Sequence, residues 1–122
     1  MEKIVTSRVT LSIIWIFFFG LTHWPSEKMP DTSFILYIDK AVHFCLFTVL
    51  GFLLSYRVQA GSYIKQFATV LAILAIYAAF DELTQPLVGR STELLDWIAD
   101  ILGASVGFAL QKYTTKKNVQ FK

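Results

Sequence analysis

The sequence predicts an all-α integral membrane protein, a bundle of four transmembrane helices joined by short loops. More than half of the 122 residues are apolar, the mean hydropathy is +0.54 and only 16% are charged, which is unusual for a soluble globule. Only helices and closed barrels satisfy their backbone hydrogen bonds in hydrocarbon, and no segment alternates like a lipid-facing barrel strand. We therefore expect a single helical domain over residues 1–122.

Four apolar runs give the predicted spans in chain order. The first, Val9 to Trp24, is uncharged and has about the length needed to cross a hydrocarbon core of roughly 30 Å. A cleaved signal peptide is the rival interpretation, but no small-residue cleavage site follows the run. The other spans run from about Asp39 to Tyr56, from Tyr63 to about Thr84 and from about Leu95 to Tyr113. Their uncharged centres are short, so we expect their terminal acids at or just inside the interface.

The distribution of charge predicts how these spans are oriented. If the chain crosses four times, eight of the eleven Lys and Arg residues fall on one side, which the positive-inside rule assigns to the cytoplasm. Eight of the nine acids fall on the opposite side. We therefore expect both termini in the cytoplasm and an acidic outer face. The inner basic residues are Lys3, Arg8, Arg57, Lys65, Lys112, Lys116, Lys117 and Lys122.

The remaining sequence features favour a membrane-lipid partner over a nucleic acid or a thiol site. The basic C-terminal tail is typical of a cytoplasmic segment that contacts anionic lipid, and we do not expect nucleic acid to bind. Cys45 is the single cysteine and is expected to pack as a small apolar side chain. His43 lies two residues away and faces another side of the helix, so a catalytic Cys–His pair is not expected.

The first polar motif, Asp39-Lys40-x-x-His43, opens the second span. A four-residue step places Asp39 and His43 on one helical face, where the carboxylate can orient the imidazole. The alternative is that Asp39 caps the helix, Lys40 extends its ammonium to the interface and His43 bonds a neighbouring helix. His23, beside Trp24, is interpreted as an interfacial residue.

The second polar motif, Asp81-Glu82-x-x-Gln85-Pro86, closes the third span at its C-terminal end, where the helix dipole opposes negative charge. Capping does not explain these two acids, so we expect them to serve a site or a tight polar pairing. Glu82 and Gln85 are three residues apart and share a face. Pro86 has no backbone N–H to continue the helix, which favours a turn directly after it.

A turn is predicted between the third and fourth spans. Gly89-Arg90 is a flexible pair, and Ser91 or Thr92 can begin the following helix through its hydroxyl group. Acids near a helix start, such as Glu93, are electrostatically favourable there.

One stripe of the fourth span is acidic at its outer end and small deeper in. Asp96 and Asp100 repeat at four residues and continue into Gly103 and Gly107. Such a stripe is expected to face protein, and the two glycines match the small-xxx-small pattern that permits close helix approach. We interpret the glycines as packing within the chain, with a homodimer seam as the alternative.

Taken together, these motifs resemble the VanZ-like membrane family over residues 39–107. The matching segments, in order, are Asp39-Lys40-x-x-His43, Asp81-Glu82-x-x-Gln85, Gly89-Arg90 and Asp96-x-x-x-Asp100-x-x-Gly103-x-x-x-Gly107. The resemblance implies a small multi-span protein of the bacterial cytoplasmic membrane. Through the family's namesake it also implies a link to resistance to the glycopeptide antibiotic teicoplanin. The polar positions that it implies are Asp39, His43, Asp81, Glu82, Gln85, Arg90, Asp96 and Asp100.

The outer motifs carry more acid than base. Two bases, Lys40 and Arg90, oppose six acids, so four negative charges remain if every acid is ionised. In a partly desolvated pocket that excess is unstable, and we expect some acids to hold protons, a cation to enter, or the pairs to be spread apart. The six acids are Asp39, Asp81, Glu82, Glu93, Asp96 and Asp100.

The leading hypothesis is an extracytoplasmic polar pocket that binds an envelope lipid headgroup or a glycopeptide, with Arg90 as the cationic anchor. The first alternative is an intramembrane hydrolase or transferase, in which His43, Glu82 or Asp81 acts as general acid or base beside a divalent cation. The others are a purely structural ion-pair network and a proton or cation relay, although the cytoplasmic halves of the spans contain no acids. The predicted binding residues are Asp39, Lys40, His43, Asp81, Glu82, Gln85, Arg90, Asp96 and Asp100.

Overall fold

The computed structural model describes residues 7–25, 38–58 and 60–120 and contains four α-helices. No strand occurs within these ranges, and the predicted all-α fold class is confirmed. The helices are α1 (Arg8–Thr22), α2 (Ile38–Arg57), α3 (Tyr63–Thr84) and α4 (Leu94–Gln120), with a 3-10 turn at Gln85–Val88 between α3 and α4.

Three of the helices are long and apolar enough to cross a membrane. They are the segments Ile38–Arg57, Tyr63–Val88 and Leu94–Lys117, in agreement with the second, third and fourth predicted spans. Helix α1 is apolar but has only 15 residues, about 22 Å at 1.5 Å per residue. The first predicted span is therefore a shorter helix, which ends where His23 occupies its C-cap. The chain is a multi-pass membrane protein.

Local chemistry fixes where the helices begin and end. The hydroxyls of Ser7 and Ser62 accept hydrogen bonds from the backbone N–H groups three residues later, at 3.0 and 3.3 Å, and so start α1 and α3. Helix α3 ends one residue before the Gln85–Val88 turn, as predicted from Pro86. The turn closes at Gly89, whose φ of 76° is a left-handed conformation that other residues rarely adopt.

The core lies between α2, α3 and α4, and its tightest seam joins α2 to α4. Gly51 lies against the backbone of Ala104, and Gly103 and Gly107 lie against the α2 backbone around Thr48. Both glycines of α4 therefore lie at a close helix–helix contact within the chain. Because α2 covers both glycines, a homodimer would need another surface. The buried apolar residues that form the core cluster are Phe47, Leu50, Val70, Leu74, Ala78, Ala104 and Phe108.

Cys45 is exposed on the outside of α2 and does not contribute to the core. His43 points the other way and is fully buried. The two-residue offset between them turns their side chains to different faces of the helix. The expectation that they form no catalytic pair is consistent with this arrangement.

Candidate polar site at the helix ends

The structure brings the predicted polar residues together at one end of the bundle, in two groups. The first consists of ion pairs between elements and is called the rim. The second is almost fully buried and is called the buried centre. The rim residues are Asp39, Lys40, Arg90, Glu93 and Asp96. The buried centre comprises His43, Asp81, Glu82, Gln85 and Asp100, each at most 3% exposed.

In the rim, both predicted basic residues are paired with acids. Arg90 donates from Nη2 to Oδ1 of Asp39 at 2.6 Å, and so joins the turn after α3 to the start of α2. Lys40 donates to the carboxylate of Glu93, and its Nζ also lies 3.0 Å from Oδ1 of Asp96. These contacts tie the first turn of α4 to α2. They are the arrangement expected if the rim residues fasten the helix ends together.

Glu93 lies just outside the spanning helices and titrates under the influence of Lys40. The hydrogen bond from the Lys40 ammonium holds the pKa of the Glu93 carboxyl below its ordinary value. Because the pKa is lowered in the folded protein, the pair stabilises the fold above the ordinary carboxyl pKa. That contribution is lost as pH falls through the lowered value.

His43 is held by α4. Its Nδ1 lies 2.9 Å from Oδ1 of Asp100, and both residues are completely buried. The imidazole is thus oriented by Asp100 and not by Asp39, which pairs with Arg90. This contact corresponds to the alternative interpretation of the motif, in which His43 bonds a neighbouring helix. Its other nitrogen, Nε2, has no hydrogen-bond partner among the described residues.

The acids at the end of α3 meet around an amide. Gln85 donates from Nε2 to Oδ2 of Asp81 and to Oε1 of Glu82, both at 3.2 Å. The shared face of Glu82 and Gln85 is therefore as predicted. Oε1 of Glu82 also lies 3.8 Å from Nδ1 of His43, while its Oε2 accepts from the backbone N–H of Glu93 at 2.9 Å. One carboxylate thus links three elements.

Two site residues that the sequence did not predict come from the end of α1. Thr22 is buried and donates from its hydroxyl to Oδ1 of Asp81 at 2.7 Å. His23 has Nδ1 3.5 Å from the same oxygen and Nε2 2.8 Å from the hydroxyl of Thr84. The interpretation of His23 as an interfacial residue misses this contact. The available signal was its position at the same outer end as the acids.

The start of α4 also differs from the prediction. The helix begins at Leu94, not at Ser91 or Thr92. Thr92 instead donates from its hydroxyl to the backbone carbonyl of Glu82 at 2.8 Å. Carbonyls in the last turn of a helix lack partners within the helix, and this hydroxyl satisfies one of them.

A groove of about 550 Å³ opens beside the buried centre. Its walls are mainly apolar, and its polar end is formed by Glu82, Thr92 and Glu93. Glu82 therefore belongs both to the groove and to the buried centre. The residues that line the groove are Ala79, Glu82, Leu83, Thr92, Glu93, Leu94 and Trp97.

Comparison with known proteins places this arrangement in a family. The family model described as VanZ/LLP1 matches residues 3–115. The chain belongs to the VanZ/LLP1 family. The match confirms the resemblance inferred from the four motifs and extends it over α1 and most of α4. No curated protein and no solved structure matches the chain.

Among the described residues of this VanZ/LLP1 protein, two sets of side chains could hold a metal ion. One set is Asp39, His43 and Asp96, and the other is His43, Asp81 and Glu82; within each set the ligand atoms lie no more than 4.8 Å apart. Asp39 and Asp96 already face the cations of Arg90 and Lys40. The second set, which lies inside the buried centre, is therefore the better candidate.

Proposed function

We propose that this VanZ/LLP1 protein binds a lipid of the bacterial cell envelope at the extracytoplasmic ends of its helices. The single observation that carries the proposal is that one groove joins an apolar wall to the buried polar centre through Glu82. An amphiphile requires both surfaces side by side. Its chain would lie along Leu83, Leu94 and Trp97, and its headgroup would reach Glu82 and Thr92.

The polar end of the groove favours a headgroup that donates hydrogen bonds. Carboxylates only accept hydrogen bonds when they are ionised, and two of them, Glu82 and Glu93, line this end. Hydroxyl and amine groups of a sugar or peptide supply such donors, whereas a bare phosphate would be repelled. We therefore infer an envelope lipid with a sugar or peptide headgroup.

The proposal gives the rim a positioning role. Arg90 and Lys40 were expected among the binding residues, with Arg90 as anchor for an anionic group. Their ion pairs with Asp39, Glu93 and Asp96 support a different role, in which they hold the turn and the start of α4 against α2. The groove lies between α3 and α4, so this fastening maintains its shape.

Filling the groove is expected to abolish lipid binding. Ala79 lines the groove, and Ala79→Phe would place an aromatic ring where the lipid chain lies. In native mass spectra of the protein extracted from its own membrane, we expect the co-purified lipid to fall at least about tenfold, as for a loss of roughly 1.4 kcal/mol or more in binding free energy.

Ala72→Phe is the matched control. Ala72 lies on the same helix seven residues earlier, is exposed and does not line the groove. It is about 10 Å further along the helix axis. Equal lipid occupancy in the two variants would refute the groove as the binding site. Displacement of the lipid by added teicoplanin would support the resistance link, because a glycopeptide carries the same kinds of donor group.

A second candidate, an intramembrane hydrolase or transferase, is favoured by the His43–Asp100 pair. A buried imidazole held by a carboxylate at 2.9 Å is a typical general base. Glu82, between this pair and the groove, would face the headgroup. The same mass spectra separate the two functions, because binding leaves the lipid mass unchanged and turnover yields a product of different mass.

The proposed location requires the turn beside the site to lie outside the cell and the C-terminal end of α4 to be cytoplasmic, and cysteine labelling tests this. In a Cys45→Ser background, Ser91→Cys lies in the exposed turn beside the site and Lys117→Cys lies exposed near the other end of α4. We expect a membrane-impermeant maleimide to label position 91 in intact cells and position 117 only after permeabilisation, because the basic residues favour the cytoplasm. The reverse labelling pattern would place the site inside the cell.

A further inference from the structure

The buried centre holds three acids that no lysine or arginine neutralises in the part of the chain that the structure describes. Asp81, Glu82 and Asp100 are 0, 3 and 0% exposed, and their ion-pair partners there are histidines. The cations of the rim are directed to other acids. Buried carboxylates without compensation are costly, so this centre requires protons or a bound cation.

The imidazole of His43 is arranged as a metal ligand would be. With Asp100 ionised, Nδ1 carries the proton and donates it to that carboxylate at 2.9 Å. Nε2 then presents a lone pair, and within residues 7–25, 38–58 and 60–120 nothing hydrogen-bonds to it. A ring nitrogen opposite a carboxylate-bound one is the usual donor of a metal-binding histidine.

In each of the two acids of α3, one carboxylate oxygen accepts a hydrogen bond from a residue outside the buried centre. Oδ1 of Asp81 accepts from Thr22, and Oε2 of Glu82 accepts from the backbone of Glu93. Their other oxygens both lie 3.2 Å from the amide nitrogen of Gln85. The carbonyl oxygen of that buried amide has no partner among the described residues. Rotation of the side-chain amide by 180° would direct this oxygen to the point that both acids face.

From these contacts we propose that the buried centre binds one divalent transition-metal cation. His43, Asp81 and Glu82 are the ligands, and the carbonyl of Gln85 completes the set. Atoms bound to one ion at about 2.1 Å lie roughly 3 to 4.2 Å apart. One nitrogen of His43 and one oxygen of each acid lie within 4.8 Å of one another. The His43 nitrogen 3.8 Å from Oε1 of Glu82 is Nδ1, so coordination through Nε2 requires the imidazole to tilt toward the acids. The inference goes beyond lipid binding and does not depend on which lipid occupies the groove.

The donor set selects among divalent ions. Carboxylate and amide oxygens suit Mg²⁺, Ca²⁺ and Mn²⁺, whereas an imidazole nitrogen favours Zn²⁺ and other transition metals. With one nitrogen among the ligands, we expect Zn²⁺ to bind more tightly than Mn²⁺, and both to bind more tightly than Mg²⁺. This order follows the general affinity series for nitrogen- and oxygen-containing sites.

Calorimetric titration of the full chain in detergent, after chelator treatment, tests the proposal. We expect one Zn²⁺ per chain, with an affinity at least about tenfold above that for Mg²⁺. His43→Gln and Glu82→Gln should each weaken Zn²⁺ binding by more than about a hundredfold, and Asp100→Asn by about ten- to a hundredfold, because Asp100 acts through the imidazole.

Lys65→Met is the control, because Lys65 is exposed, lies outside the rim and the groove, and forms no salt bridge with the described residues. Its Zn²⁺ affinity should remain within about threefold of the wild type, a difference of roughly 0.65 kcal/mol. The proposal is overturned if folded wild-type protein binds no Zn²⁺ at millimolar concentration, or if His43→Gln binds it as tightly. Should Glu82→Gln fail to fold, Asp100→Asn supplies the comparison, and unchanged affinity in that variant has the same consequence.

Discussion

Gly107→Ala is expected to cause the largest loss of stability among single-atom additions to this chain. A Cβ at this position would collide with the backbone of Thr48 and lie 2.6 Å from the backbone nitrogen of Phe52. A backbone cannot rotate aside as a side chain can, so α2 and α4 must separate. We expect the free energy of unfolding to fall by about 3 kcal/mol, the upper part of the range for overpacked cores. Thermal or detergent-induced unfolding measures it.

Gly20→Ala is the matched control, because a Cβ at Gly20 in α1 meets no atom within 4 Å. Alanine favours a helix over glycine, so this variant should be unchanged or more stable by up to about 1 kcal/mol. Equal stability of Gly107→Ala and Gly20→Ala would show that the α2–α4 seam is looser than the structure has it.

The seam also governs the site. His43 lies on α2 and Asp100 on α4, so the 2.9 Å contact between them depends on how closely these helices approach. Gly103 lies against the backbone of Phe44, the residue after His43. Close packing deep in the bundle therefore sets the distance between two groups of the buried centre.

Lys40→Met is expected to have the second-largest effect, since it leaves Asp96 without its cation. Asp96 is only 1% exposed, and Nζ of Lys40 lies 3.0 Å from it. Removing one partner of a buried ion pair leaves an uncompensated charge. Because the Lys40 side chain is 21% exposed, solvent screens part of that charge, and we expect a loss of about 2 kcal/mol. Methionine keeps most of the apolar length of the lysine side chain, so unfolding experiments at neutral pH report mainly the effect of the lost charge.

The cause can be separated from simple loss of packing. Lys40→Met combined with Asp96→Asn removes both charges and should recover most of the lost stability. Lys65→Met is the control, because Lys65 is exposed and forms no salt bridge with the described residues. If the double variant is no more stable than Lys40→Met, the ion pair is not what holds α4 to α2.

These experiments also separate the two roles assigned to the polar cluster. Loss of a rim contact, as in Lys40→Met, should lower stability and affect ligands only as far as the fold weakens. Loss of a buried-centre group, as in His43→Gln, should weaken metal binding in a protein that still folds. A network that served only to fasten the helices would show the first effect at both positions.

Much of the architecture could be predicted from the sequence, because it is encoded locally. Apolar runs set both ends of α2 and α3 and the start of α4 to within one residue, whereas α4 continues to Gln120, beyond the predicted end at Tyr113. Pro86 and Gly89 set the turn after α3. The concentration of acids at one end followed from counting charges along those runs. Helical periodicity correctly placed Glu82 with Gln85 and turned Gly103 and Gly107 toward protein.

The partners across helices could not be predicted in this way. Periodicity fixes which face of a helix a residue occupies, but not which neighbouring helix that face meets. Asp39 was assigned to His43 because both lie on one face, whereas the structure pairs Asp39 with Arg90 and His43 with Asp100. Likewise, Gly51 carried no obvious signal until α4 was placed against it.

By itself, the sequence determined that this chain is a helical membrane protein whose acids gather at one end of the bundle. Only the tertiary structure decided that the two basic residues form ion pairs with acids of the rim. It also decided that three acids and a histidine are buried together. It also brought Thr22 and His23 of α1 to Asp81. The physical reason is that contacts between helix ends depend on how whole helices are rotated and how closely they approach. Backbone-to-backbone packing at the glycines, which lie away from those ends, sets both.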